Sequence, residues 1–129
     1  MTQYGTRVDA TIEDRMSAES VKERVFLAVK ELCIAKGDVR ARLVISVEIL
    51  MALSSNEFPE SLREDFEFVI QESTKYKSDM PEHRNDLEVT MKRIKNSTGQ
   101  KIAENIFNIY SAIQSIRGFP LLGGRSVNE

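Results

Sequence analysis

Apolar residues recur at spacings of three and four along most of this chain, the period of helices that each bury one face. Val21, Val25, Ala28, Val29 and Leu32 predict a first helix from Ala18 to Lys36, with Phe26 and Ile34 widening its apolar face. Ser17 suits its N-cap, Ser20 and Glu23 fit a capping box, and Gly37 supplies a left-handed stop. A second helix follows from Val39 to Leu53, with Asp38 as N-cap. Leu43, Val44, Val47, Leu50 and Met51 form its face, and Ile45, Ile49 and Leu53 carry apolar character almost around the cylinder. Such a helix is either central in a bundle or shared with a partner. A third helix starts near Pro59, a residue suited to a first helical turn. It turns Leu62, Phe66, Val69 and Ile70 inward, and Lys75 to Pro81 reads as a loop.

Leu87, Met91 and Ile94 predict a fourth helix from Glu82 to Lys95. Ile102, Ile106, Ile109, Ile113 and Ile116 predict a fifth from Ser97 to Ile116. Asn96-Ser97-Thr98-Gly99 reads either as a break between them or as part of one long helix, since an interior glycine costs only about 1 kcal/mol. The expected fold is all-α, a single-domain bundle of four to five mostly antiparallel helices over residues 17–117. Residues 1–16 read as a flexible arm with a short alternation at Val8, Ala10 and Ile12, and residues 118–129 as a loose glycine-rich tail.

Composition fits this picture: 129 residues, 41% hydrophobic and 29% charged, suffice for one core without staples. Eighteen bases against twenty acids give a net charge of −2, which excludes a strongly basic nucleic-acid coat. One cysteine, Cys33, excludes a disulfide framework and a multi-cysteine zinc site. The longest apolar-rich run, Leu43 to Leu53, contains Glu48 and is too short for a membrane span. The N-terminus lacks the apolar stretch of a signal peptide. A cytoplasmic location with no membrane contact is therefore expected.

No constellation names a reaction. Cys33 and the single histidine, His83, fall on different elements, so Cys33 reads as a small buried hydrophobe and His83 as a solvated loop residue. Glu64 and Glu67 have the i, i+3 spacing with which all-α nucleotide pyrophosphohydrolases hold Mg²⁺. The second pair of acids fails, because Glu82 and Asp86 lie four apart and Asp86 and Glu88 two apart. No phosphate loop is present. Neither catalytic residues, cofactor nor metal are expected. Glu48 reads as a solvent-facing residue beside Ala41 and Ala52, or else as the partner of a base.

Charge is segregated: residues 54–73 hold six acids and one base, and residues 83–101 five bases and two acids. Arg84, Lys92, Arg93, Lys95 and Lys101 form the basis of an alternative reading, a nucleic-acid-associated regulator. It is disfavoured because no aromatic residues interleave for stacking. A Mg²⁺-dependent nucleotide hydrolase using Glu64 and Glu67 is the second alternative. The leading reading is a non-enzymatic protein-binding or regulatory module that acts through apolar helix faces and forms a homodimer through helices 2 and 5. The candidate contact residues are Phe107, Tyr110, Ile113 and Phe119 for apolar contact, with Glu60, Glu64 and Glu67 for charge complementarity.

Overall fold

A computed structural model describes residues 20–80 and 85–115. Five α-helices occupy these residues: α1 (20–34), α2 (Val39–Leu50), α3 (Glu60–Ser73), α4 (Asp86–Arg93) and α5 (Asn96–Ser115). The described chain is an all-α bundle, as the periodicity predicts. The N-terminal arm, Ser17, Glu82, His83, Arg84, Ile116 and the tail with Phe119 lie outside the described residues.

The core is the predicted set of helix faces brought together. Val21, Val25 and Ala28 of α1 meet Leu43, Val47 and Leu50 of α2, and Leu62, Phe66 and Val69 of α3. Leu87 and Met91 of α4 and the isoleucines 102, 106, 109 and 113 of α5 complete it. α2 packs on α4 and α5, and α3 on α5. The hydroxyl of Ser46 donates to the carbonyl of Ala28 at 2.8 Å, and Arg24 reaches the carbonyl of Ile49. Pairing 28 with 46 and 24 with 49 makes α1 and α2 antiparallel. The wide apolar surface of α2 is thus taken up largely inside the bundle, between α1, α4 and α5. Ile45, and Met51 at its C-cap, are the large apolar residues left exposed. The structure assigns α2 the central-helix alternative of the sequence reading.

The turn from α1 to α2 depends on Gly37, whose φ is +97°. A Cβ there would also lie 2.7 Å from that of Ala41. α1 ends two residues earlier than expected, with Ala35 N–H still bonded to Glu31. Asp38 caps α2 by accepting from the Ala41 N–H at 3.0 Å. Before α3, Ser54 and Glu57 form a capping box on a 3₁₀ turn (Ser55–Glu57), a signal absent from the sequence reading. That turn delivers Phe58 to the core, where its ring stacks on Phe66 at 4.4 Å.

α4 is shorter than predicted, because Asn85 caps it four residues into the expected range. The break from α5 falls at Ile94, whose backbone is extended, and not at 96–99. Gly99 lies inside α5, where it allows close approach to Val39, Arg40 and Leu43 of α2. Residues 74–80, after α3, are irregular, as expected, and are tied to α4. The buried Thr90 hydroxyl accepts from the Tyr76 N–H at 2.9 Å and donates to the Tyr76 carbonyl at 3.3 Å. Ser78 N–H donates to Asp86 at 2.8 Å.

Candidate functional site

Three aromatic side chains from two helices meet at the surface. Phe107 and Tyr110 are three residues apart on α5 and so neighbours on one helix face. Each follows a core isoleucine, Ile106 or Ile109, which turns it about 100° away from the core. Phe26 stands in the same relation to Val25 on α1. The helix geometry therefore places all three at the margin of a buried face. Their rings converge there: Phe26 lies 6.4 Å from Tyr110 at an interplanar angle of 42°, and Phe107 lies 6.2 Å from Tyr110 at 39°. Such tilted pairs contribute about 0.5–1.5 kcal/mol beyond their burial. Tyr110 is half-buried between rings that remain 43% (Phe26) and 52% (Phe107) exposed. The patch is apolar at its centre, with exposed Glu23 and Lys30 one turn to either side of Phe26.

The predicted contact residues therefore divide. Phe107 and Tyr110 come together, and Phe26, known from the sequence only as a widening of helix 1, joins them. Ile113 is fully buried in the core and offers no surface, which corrects its assignment as a contact residue. It continues the ladder of Ile102, Ile106 and Ile109, whose period points it inward. Phe119 lies outside the described residues. Glu60, Glu64 and Glu67 are all exposed on α3. Glu67 also lines a hollow with Met51, Phe66 and Ile70.

Cys33 is exposed, contrary to its reading as a buried hydrophobe. It sits one residue past Leu32, about 100° round α1 from the packed face. Glu48 is exposed, as are Ala41 and Ala52. Among the described residues no three His, Cys, Asp or Glu side chains come together as a metal-binding group. None of the described helices is long and apolar enough to cross a membrane.

Lys92, Arg93, Lys95 and Lys101 are exposed. Arg93 stacks over the Tyr76 ring at 4.4 Å, and Lys92 lines a hollow of about 640 Å³ between α2 and α4. That hollow mixes charges: Lys36, Arg40 and Lys92 face Asp38 and Glu88. Arg40 is already engaged, bonded to Asp38 at 3.2 Å and to the Ile94 carbonyl at 2.9 Å. The Ala41 N–H, and secondarily Arg40, hold the Asp38 carboxyl below its ordinary pKa. These charges hold the helix ends together. The chain matches no family model, no curated protein sequence and no solved structure.

Proposed function

We propose that this protein is a non-enzymatic interaction module that engages a protein partner through the aromatic patch of α1 and α5. The observation that carries this reading is the convergence of Phe26, Phe107 and Tyr110 at the surface, with both phenylalanine rings about half exposed. Aromatic residues held rigidly by their own helices are effective anchors, because little side-chain freedom is lost when a partner covers them. A homodimer is one form of the same reading, with Phe107 and Tyr110 of α5 facing their copies. A contact through α2 would rest on Ile45 and Met51, since the rest of its apolar face lies within the bundle. The reading places the protein in the cytoplasm, where an exposed thiol such as that of Cys33 stays reduced.

The test compares the wild type with the double variant Phe26→Ser/Phe107→Ser as immobilised bait. Both substitutions fall on exposed rings, so far-ultraviolet circular dichroism should be unchanged. A protein, including free copies of the chain itself, is expected on the wild type at high salt and absent from the variant. Equal retention by both would contradict the reading.

A further inference from the structure

Away from the aromatic patch, two hollows of about 340 and 470 Å³ share Met51 and Ile70 in their walls. They meet at these two side chains and form one furrow from the 3₁₀ turn, along α2 and α3, to the head of α4. Its floor is apolar: Leu53, Phe66 and Ile70 line it, and Met51 is 48% exposed to it and to solvent. The charged side chains along it are Glu48, Glu67 and Asp86, and no Lys or Arg is among its described lining residues. Asp86 is engaged by Lys77 at 3.6 Å and by the Ser78 N–H. Glu48 and Glu67 have no hydrogen-bond or ion-pair partner among the described residues. An apolar floor is thus flanked by two carboxylates available to an incoming cation.

We infer that this furrow is a docking groove for a basic amphipathic helix of a partner protein, whose apolar side chains seat on Met51 and Ile70 and whose Lys or Arg residues pair with Glu48 and Glu67. The inference rests on the reading of the protein as a protein-binding module and gives that module a second surface and a partner chemistry. A helix suits the site for two reasons. The furrow lies between helices, whose ridges and grooves accept another helix. The described residues contain no strand, so there is no sheet edge on which an extended peptide could add. The sign of the rim excludes nucleic acid and anionic membrane, whose phosphates Glu48 and Glu67 would repel. A second copy of this chain could bring only α1, where Arg24 and Lys30 are exposed beside Leu27 and Ile34.

The experiment measures fluorescence anisotropy of a labelled Leu/Lys amphipathic peptide of roughly four helical turns on the full chain, with a Leu/Glu peptide of the same pattern as control. The Leu/Lys peptide is expected to bind saturably, and the Leu/Glu peptide at least about tenfold more weakly. Glu48→Lys/Glu67→Lys should weaken the Leu/Lys peptide by at least about tenfold. Glu60→Lys/Glu104→Lys changes net charge by the same amount at exposed carboxylates that do not line the furrow. It should leave the affinity within about threefold. Met51→Gln, which removes floor contact without changing charge, should also weaken binding. A monomeric mass in sedimentation at the titration concentration is expected, and a dimer that is lost in Glu48→Lys/Glu67→Lys would overturn the inference. Equal losses in the two charge-reversal variants would show attraction to overall charge and overturn the inference, as would equal binding of both peptides. Phe26→Ser/Phe107→Ser should bind the peptide like the wild type. Loss of binding in that variant would place the peptide on the aromatic patch instead, which keeps the module reading and overturns the groove.

Discussion

The guanidinium of Arg40 donates a hydrogen bond of 2.9 Å to the carbonyl of Ile94, 54 residues away. Ile94 ends α4, and its extended backbone sets the elbow between α4 and α5. Its carbonyl has no continuing helical turn to pair with, so a donor from α2 satisfies it. The same guanidinium pairs with Asp38, the N-cap of α2. One side chain therefore ties the start of α2 to the junction of two other helices.

Replacing Arg40 by Ala should accordingly act at a distance. The loss of the bond to Ile94 costs about 1 kcal/mol, which lowers Tm by about 4 °C in a chain of this size. Hydrogen exchange should quicken at the α4–α5 elbow, far in sequence from the substitution. Arg40→Met keeps much of the stem's packing, so loss in both variants identifies the guanidinium's polar contacts as the cause, and faster exchange at the elbow assigns it to the bond with Ile94.

Asp38 gives stability a pH dependence of known sign. Its carboxyl is held below the ordinary value of 3.8, chiefly by the Ala41 N–H and then by Arg40. A depressed folded-state pKa means that the contribution is full above the ordinary carboxylate range and is lost as pH falls through the folded value. Asp38→Ala should therefore lower Tm at pH 7, and the gap to wild type should close once the pH lies below that folded value. Asp38→Asn, which keeps a capping acceptor, should retain most of the stability at pH 7. Thermal melts across this range measure both.

Gly99 shows where the sequence was legible and where it was not. The isoleucine ladder of the last helix is readable because its period alone points Ile102, Ile106, Ile109 and Ile113 inward, and all four are buried. A glycine in that ladder carries no such label. It can stop a helix or let another helix approach, and only the position of α2 decides. The actual break, at Ile94, has no glycine or proline to mark it and is secured by Arg40. The site was half legible in the same sense. Phe107 and Tyr110 can be read as surplus to their helix, whereas their meeting with Phe26 depends on how α1 lies on the bundle. Phe58 is hidden because it stands between helices, where no period selects it, Ser46 because it is polar although it falls on the face of Leu43, Val47 and Leu50, and Cys33 lies one helical step from the packed face.

At Gly99 itself, a Cβ would stand 3.1 Å from Val39 Cγ1, 3.3 Å from Arg40 Cγ and 3.4 Å from Leu43 Cδ1. Alanine gains up to about 1 kcal/mol of helix propensity, offset by a few tenths of an ångström of adjustment by the Val39 methyl and the Arg40 stem. Gly99→Ala should therefore melt close to the wild type. Gly99→Leu forces α2 and α5 apart and should cost about 1–3 kcal/mol. Denaturant titration separates the two, and a mild effect of leucine would mean that the crossing is looser than described.

The measurement that bears most directly on the central claim is site-specific photo-crosslinking from α5 in living cells. A benzophenone side chain in place of Phe107 sits in the aromatic patch. One in place of Lys101 sits about 120° round the same helix, on another exposed face. A discrete protein adduct from position 107, absent from position 101 and lost when Phe26→Ser is added, is the predicted result. No adduct at 107, or the same adducts from both positions, would contradict the claim that the protein works through the α1–α5 aromatic patch.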